Sequence, residues 1–156
     1  ATARDWAEEA EPARVWDLFC GVGGFALALA APGRRVLGVE VSASAIDGAR
    51  AAADLMGLDP ALVRFEAGDA RVLDPAAGAR RPDLLVVNPP RRGIGEQLAT
   101  RIEASGVERV LYSSCNPRTL AADLAHLPSM RVVRSRLFDM FPHTEHAEVL
   151  VELVRD

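Results

Sequence analysis

The sequence contains no lysine, only two cysteines and no long apolar run. Cys20 and Cys115 are too few and too far apart for a disulfide framework or a zinc motif, as expected in a reducing compartment. No stretch approaches the roughly 18 consecutive apolar residues that a membrane-spanning helix needs. Residues 1–11 are charged and lack the pattern of a secretory signal peptide. We therefore expect a cytoplasmic protein with no membrane partner.

Length and charge limit the domain count and the mode of partner binding. With 156 residues and 49% hydrophobic content, the chain is sized for one domain, residues 1–156, with a single core. Its formal net charge of −4 argues against holding a nucleic acid by overall charge, because that affinity comes largely from neutralising phosphates. His143 and His146 have near-metal spacing but lack further ligands, so no metal site is predicted.

Apolar runs alternate with helical periodicity in a regular βαβα order. That order predicts an α/β fold, in which helices cover both faces of a mostly parallel seven-stranded sheet. The last two strands have no convincing helix between them, so we expect an antiparallel hairpin at one end of the sheet. The predicted strands are 15–19, 36–40, 63–67, 84–88, 107–112, 131–138 and 147–154, and the predicted helices are 1–10, 24–31, 43–56, 95–104 and 117–127.

Glycines and polar side chains follow the first four predicted strands. The turn Gly21-Val22-Gly23-Gly24 opens a helix, where glycines let a ligand approach the backbone. Its spacing differs from the Gly-x-Gly-x-x-Gly of dinucleotide sites. Glu40 is placed to accept hydrogen bonds from two ribose hydroxyls, although a solvated strand-end acid is the alternative. Asp69 can bind the exocyclic amine of an adenine, and Asn88 precedes two prolines that leave its amide free to face the cleft. Together they predict a nucleoside-like cofactor, and S-adenosylmethionine fits better than NAD.

Cys115 stands at a predicted strand-to-helix turn. Asn116 is a good N-cap and Pro117 suits the first helical position. The helix dipole and free backbone N–H groups favour the thiolate, which is the reactive form of cysteine. Taken alone, a free cysteine beside a strand is more often a quiet core residue.

Glu148, near the start of the last predicted strand, is a candidate cleft carboxylate. An ordinary exposed acid is the alternative interpretation. The residue gains weight from Cys115, because a cysteine that adds to a ring needs a partner base to remove a proton later.

Four segments together resemble one family. They are residues 17–25, Asn88-Pro89-Pro90-Arg91-Arg92-Gly93-Ile94-Gly95, residues 112–116 and residues 138–144. The set resembles the catalytic domain of the RNA uracil-5-methyltransferases, and most of all the RlmC type, which acts on 23S ribosomal RNA. The resemblance implies a Rossmann-like class I methyltransferase fold, S-adenosylmethionine as cofactor and RNA as substrate.

The resemblance also implies roles for individual residues. Cofactor contacts fall on Phe19, Glu40 and Asn88, with Asp69 at the adenine and Gly21 in the same turn. Cys115 is implied as the nucleophile that adds to C6 of uracil, and Glu148 as the base that later takes the C5 proton. The uridine must be flipped or unpaired to be reached. Arg91 and Arg92, beside the cleft, are candidates for the RNA phosphate or a uracil oxygen.

The chain departs from the family pattern in one respect. Full-length members carry N-terminal and central RNA-recognition parts, four cysteines for a 4Fe-4S cluster and a glutamine that contacts the cofactor. None of these is present, so we expect a fragment that retains the methyl-transfer residues and lacks most of the RNA grip.

Three other functions are compatible with parts of the pattern. An amino-methyltransferase would use Asn-Pro-Pro, but Arg91 stands where such enzymes have an aromatic residue, and Cys115 and Glu148 would have no role. A non-catalytic module that binds cofactor or RNA would show no covalent chemistry at Cys115. An NAD dehydrogenase is disfavoured by the glycine spacing.

Overall fold

The computed structural model describes residues 2–72, 81–139 and 147–156. Its strands form one seven-stranded sheet in the order β3-β2-β1-β4-β5-β7-β6. The strands are β1 (Arg14–Leu18), β2 (Arg35–Glu40), β3 (Val63–Ala67), β4 (Leu84–Val87), β5 (Arg109–Ser114), β6 (Met130–Phe138) and β7 (Glu148–Arg155). The helices are α1 (Thr2–Ala10), α2 (Gly24–Ala28), α3 (Ala43–Leu55), α4 (Gly95–Ser105) and α5 (Pro117–Leu124), with a single 3-10 turn at Ala70–Val72.

The sheet is parallel except at one end. Strands β1 to β5 pair in parallel, and β7 inserts antiparallel between β5 and β6. This arrangement confirms the predicted α/β fold and its C-terminal antiparallel hairpin. The strand order reverses between β1 and β4, and in open α/β sheets ligands bind at the carboxyl ends of the strands beside such a reversal.

Two apolar cores lie on opposite faces of the sheet, as the prediction of helices on both faces requires. One core contains Ile46, Ala49 and Ala53 of α3, together with buried residues of α1 and α2. The other contains side chains of α4 and α5, packed on the alternate residues of β4 and β5. Neighbouring strand residues therefore point into different cores, which is why the central strands read as continuous apolar runs.

Capping residues fix where several helices begin and end. The Ser42 hydroxyl accepts a hydrogen bond from the Ala45 N–H at 3.3 Å and caps α3. Asn116 accepts one from the Arg118 N–H at 3.1 Å and caps α5, whose first residue is Pro117, as predicted. Gly106 ends α4 in the left-handed conformation, with φ 68°. No helix in the described part of the chain is long and apolar enough to cross a membrane.

The predicted fifth strand, 107–112, is wrong at both ends. Val107 lies outside the ladder because its N–H is taken by the Ser105 hydroxyl and its carbonyl by Arg155. At the other end, pairing with β7 extends β5 through Ser113 and Ser114. The strand therefore runs to the residue before Cys115. The other predicted boundaries match or differ by at most three residues: β3 is as predicted at both ends, and α2 and α5 each end three residues earlier than predicted.

Candidate active site

The turn after β1 has a left-handed backbone at three positions. Phe19, Gly21 and Gly23 all have positive φ, at 63°, 55° and 88°. A Cβ on Gly23 would lie 3.0 Å from the Phe65 ring, so the core side of the turn is closed to side chains. A Cβ on Gly21 would meet nothing within 4 Å. The turn is thus packed on one side and open to a ligand on the other.

Glu40, the last residue of β2, fastens this turn to the second strand. Its carboxylate accepts a hydrogen bond from the Gly21 N–H at 3.2 Å and another from the Ser42 N–H at 3.1 Å. Each carboxylate oxygen can accept two hydrogen bonds. One acceptor position per oxygen therefore stays available for hydroxyl groups of a ligand.

A cleft of about 270 Å³ gathers four of the predicted cofactor residues from four strand ends, whereas Gly21 is not part of its lining. Phe19 follows β1, Glu40 ends β2, and Asn88 follows β4 as an exposed residue. Asp69, which follows β3, lines the same cleft. Residues that are up to 69 positions apart in sequence thus face one space, and their cofactor roles remain predictions.

Asp69 is held by an arginine that sequence analysis did not single out. The Arg71 guanidinium donates to both Asp69 carboxylate oxygens, at 2.9 and 2.8 Å. These hydrogen bonds lower the pKa of Asp69 to about 2. Arg71 also lines the cleft. The spacing of an acid and an arginine two residues apart after a strand is the signal that could have identified this pair.

A buried carboxylate lies under the glycine turn. Asp17 is 0% exposed, and its Oδ2 accepts a hydrogen bond from the Ala26 N–H at 2.8 Å. Its Oδ1 has no partner among the described residues. Burial is the main reason that the pKa of Asp17 rises to about 7, and the Glu40 charge raises it further. Cys20 is buried nearby, and burial with the Asp17 charge raises the pKa of its thiol to about 12, so it is a poor nucleophile.

Cys115 is exposed, immediately after β5 and before the N-cap of α5. The Ser114 hydroxyl accepts a hydrogen bond from the Asn116 N–H and lies 3.0 Å from the Asn116 carbonyl oxygen. These bonds fix the backbone on either side of the cysteine. The arrangement differs from that of Cys20, which lies in the core.

Glu148 is brought to the same end of β5 by the antiparallel ladder. In that ladder Ser114, the residue before Cys115, pairs with Val149, the residue after Glu148. The Ser113 hydroxyl donates a hydrogen bond to the Glu148 carboxylate. The predicted nucleophile and the predicted base thus lie at the ends of adjacent strands.

Loop 88–95 connects the cleft to the cysteine segment. The Arg91 carbonyl accepts hydrogen bonds from the Asn116 side-chain amide at 3.2 Å and from the Thr119 hydroxyl at 3.1 Å. Arg91 and Arg92 are both exposed, and Arg92 lines the cleft. The described contacts of Arg91 are therefore made by its backbone, while its predicted substrate role belongs to its side chain.

Two other cavities, of about 360 and 440 Å³, lie over β1, β2 and β3 and contain none of the predicted site residues. His143 and His146 lie outside the described residues. No group of three metal-ligating side chains occurs in the part of the chain that the structure describes.

Comparison with known proteins identifies the family of the chain. The model of the family described as tRNA (uracil-5-)-methyltransferase matches residues 78–156. The chain is 50% identical over 155 residues to the 23S rRNA (uracil(747)-C(5))-methyltransferase RlmC of Vibrio vulnificus, covering 99% of this chain and 40% of that protein. It therefore spans about 40% of the length of the curated relatives it matches.

Solved structures give the same result for the fold. The tRNA (uracil-54, C5)-methyltransferase of Pyrococcus abyssi, in complex with S-adenosyl-L-homocysteine, is 32% identical and has a TM-score of 0.82, over 98% of this chain and 37% of that chain. TrmN of Thermus thermophilus is 24% identical with a TM-score of 0.70, over 99% and 48% of the two chains, and shows the fold alone. The chain belongs to the tRNA (uracil-5-)-methyltransferase family, since the family model covers more than half of it.

Proposed function

We propose that this member of the family is the methyl-transfer portion of an RNA uracil-5-methyltransferase and acts on a uridine of 23S ribosomal RNA. One observation carries the proposal: loop 88–95 both lines the cleft with Asn88 and Arg92 and hydrogen-bonds to the segment that contains Cys115. A cofactor in the cleft and a base held at Cys115 would thus be neighbours. The names of the curated relatives support uracil C5 of 23S ribosomal RNA as the target.

The cleft fits S-adenosylmethionine by the chemistry of its donors and acceptors. Glu40 retains acceptor positions for the ribose hydroxyls, and Asp69 is a charged acceptor for the adenine amine. The open side of Gly21 leaves room for the ligand at the turn. S-adenosylmethionine, when bound, supplies a methyl group that is activated by a positively charged sulfur. The homologue from Pyrococcus abyssi, solved with S-adenosyl-L-homocysteine, supports this choice.

Cys115 is the nucleophile in this proposal. C5 of uracil is unreactive until its ring is activated, so the Cys115 thiolate adds to C6 and forms a C6–S bond. The electron pair of the C5=C6 double bond moves onto the ring as an enolate, which makes C5 nucleophilic and able to take the methyl group. An exposed cysteine at a strand end has the access that this addition needs.

Glu148 completes the reaction as the base. Its carboxylate removes the proton from methylated C5, the C5=C6 double bond re-forms and the C6–S bond breaks, which releases the Cys115 thiolate. A uracil stacked in a helix cannot reach both groups, so the target nucleotide is flipped or unpaired. Arg91 and Arg92 then contact a phosphate or a uracil oxygen of that nucleotide.

Two expectations follow for the whole protein. A 4Fe-4S cluster, which the family resemblance implies, cannot be held by this chain alone, because four thiolates are needed and Cys20 and Cys115 are its only cysteines. Ribosomal RNA as the substrate places the protein in the cytoplasm.

Covalent capture of a substrate analogue tests the proposal. 5-Fluorouridine in RNA carries fluorine in place of the C5 hydrogen, so a base cannot remove a proton and the adduct cannot be resolved. With S-adenosylmethionine, the protein should form a stable protein–RNA adduct that peptide mass spectrometry maps to Cys115. The experiment is done with this chain and with a chimera in which it replaces the matching portion of the Vibrio vulnificus relative.

Cys115→Ala is the matched control, since it retains Cys20 and should form no adduct. Methylation of an exocyclic amine without an adduct would instead indicate the amino-methyltransferase chemistry. Cofactor binding without any reaction in the chimera would indicate a non-catalytic module. Either result contradicts the proposed function.

A further inference from the structure

Asp123 is a buried acid of α5 that faces the start of α4. The residue is only 4% exposed. Oδ2 accepts a hydrogen bond from the Ile94 N–H at 2.9 Å, and Oδ1 accepts one from the Gly95 N–H at 3.0 Å. Oδ2 also accepts one from the Tyr112 hydroxyl at 2.5 Å. Three donors from two other elements therefore converge on one carboxylate.

This carboxylate caps α4 from a distance. The residue in the N-cap position, Ile94, has no side chain that could accept a hydrogen bond, and the first N–H groups of a helix need acceptors. Asp123 provides them and places a negative charge at the positive end of the helix dipole. Asp123 thus satisfies the N–H groups of Ile94 and Gly95 at the start of α4.

Asp123 can cap α4 only if its carboxylate lies close to the backbone of Gly93, and this explains the first glycine of the Arg-Arg-Gly-Ile-Gly segment. Gly93 has φ 80°, and a Cβ there would overlap the Asp123 carboxylate. Its N–H donates to the Pro90 carbonyl at 2.9 Å, so it also closes the turn that contains Arg91 and Arg92. A side chain at position 93 would push this turn away from α5.

We infer that Asp123 is a positioning residue of the methyl-transfer site, which holds loop 88–95 against the segment that contains Cys115. Asp123 fixes the far end of the loop at Ile94 and Gly95, while Asn116 and Thr119 fix its middle at the Arg91 carbonyl. The near end contains Asn88, which lines the cofactor cleft. Tyr112, three residues before Cys115, joins β5 to the same carboxylate.

This inference rests on the proposed function for the meaning of Asn88 and Cys115, and its test separates the two. Asp123→Asn keeps the side-chain shape but replaces one acceptor with an amide that cannot accept from an N–H. Glu152→Gln is the matched control, because Glu152 is a buried acid, 1% exposed, that binds Arg109 and Arg134. Glu152 and Leu150 are two residues apart on β7, so their side chains lie on the same face of the sheet. Leu150 belongs to the core on the face opposite to α4 and α5.

Calorimetry gives the affinity of the 156-residue chain for S-adenosylhomocysteine, and thermal unfolding gives the stability. Asp123→Asn should weaken binding about fivefold to tenfold, as expected for a binding residue displaced from its ligand. Glu152→Gln should lower the melting temperature without changing the affinity. If Glu152→Gln loses as much affinity as Asp123→Asn for the same loss of melting temperature, Asp123 is only a structural residue.

Hydrogen exchange decides the inference even where the wild-type chain does not bind S-adenosylhomocysteine, a result that would count against the proposed function instead. In Asp123→Asn, the Asn116 side-chain amide, which donates to the Arg91 carbonyl, should exchange faster. The backbone N–H groups of Ile94 and Gly95 should exchange faster as well. Faster exchange confined to Ile94 and Gly95 would overturn the inference. If Asp123→Asn does not fold, Tyr112→Phe replaces it, because this variant removes one donor and keeps the two backbone hydrogen bonds. Tyr112→Phe should give the same exchange pattern with a smaller change. Unchanged exchange at Asn116 in Tyr112→Phe would overturn the inference in the same way.

Discussion

Ser113 on β5 donates a hydrogen bond from its hydroxyl to the carboxylate of Glu148, the first residue of β7. Ser113 is buried and stands two residues before Cys115, so the strand that leads to the predicted nucleophile also holds the predicted base. The two strands pair up to Ser114 and Val149. A shift of β5 against β7 would therefore break this pairing and displace Cys115 relative to Glu148.

Glu148→Gln should stop the reaction after methyl transfer. The amide cannot take the C5 proton, so RNA should remain covalently attached to the protein. Denaturing gels and mass spectrometry of the chimera, incubated with S-adenosylmethionine and unmodified RNA, measure the adduct. The adduct should disappear in the Cys115→Ala, Glu148→Gln double variant. Normal turnover by Glu148→Gln, or an adduct at Cys20, would show that the proposed roles are wrong.

Ser113→Ala should give a milder form of the same defect. Without the hydroxyl, the Glu148 carboxylate loses a partner that fixes its position, and proton removal should slow. The lifetime of the adduct, followed by quenching at successive times, should lie between those of wild type and Glu148→Gln. Ser113→Thr keeps a hydroxyl and should restore most of the rate. An adduct lifetime equal to that of wild type would mean that Ser113 does not position Glu148.

Glu40→Ala should weaken binding of S-adenosylhomocysteine by roughly 1 to 3 kcal/mol, the cost of leaving a buried polar partner without its hydrogen bonds. The carboxylate also accepts from the Gly21 and Ser42 N–H groups, so its loss loosens the turn as well. Calorimetric titration measures the change. Glu66→Ala, an exposed acid on β3 that does not line the cleft, is the control and should bind like wild type. Equal affinity in Glu40→Ala and wild type would remove Glu40 from the cofactor site.

The isolated chain should bind a ribosomal RNA hairpin weakly, and the binding should weaken further as salt increases. A net charge of −4 leaves only local arginines to neutralise phosphates. Arg92→Ala should lower the slope of log affinity against log salt by about 0.7, the value for one contact to a single strand. Arg131→Ala is the control, since Arg131 forms an ion pair with Asp156 at 2.7 Å. Tight binding that is insensitive to salt at physiological ionic strength would contradict this prediction.

The order of strands and helices followed from the sequence because it depends on local apolar periodicity. The end of β5 did not, because Ser113 and Ser114 belong to the strand only through their pairing with Leu150 and Val149 of β7. Serines before a helix cap read as a turn when the distant partner strand is unknown. The pairing with β7 therefore extends β5 to the residue before Cys115.

The candidate site divides in the same way. Residues at strand ends, such as Glu40 and Asn88, could be identified because the carboxyl ends of parallel strands share one edge. Asp123 could not, since it lies within a short helix and its partners are backbone N–H groups 28 and 29 residues away. Arg71 was missed because it acts by holding the Asp69 carboxylate, and Asp69 was itself assigned to the adenine of the cofactor.

Asp17 should make the protein less stable as the pH rises from about 4 to about 7. The unfolded chain loses the Asp17 proton near pH 3.8, whereas the folded protein keeps it until about pH 7. Between these values the folded state binds more protons than the unfolded state, so the free energy of unfolding falls with rising pH. Three pH units correspond to roughly 4 kcal/mol at most. Urea unfolding at half-unit steps measures the slope.

Asp17→Asn isolates this contribution, because an amide does not titrate and can still accept the hydrogen bond from the Ala26 N–H. The difference in unfolding free energy between wild type and Asp17→Asn should shift in favour of the variant as the pH rises from 4 to 7. Above pH 7 the difference should become constant, since Asp17 is then ionised in both states. A difference that stays constant across the whole range would show that Asp17 is ionised beneath the glycine turn at pH 4.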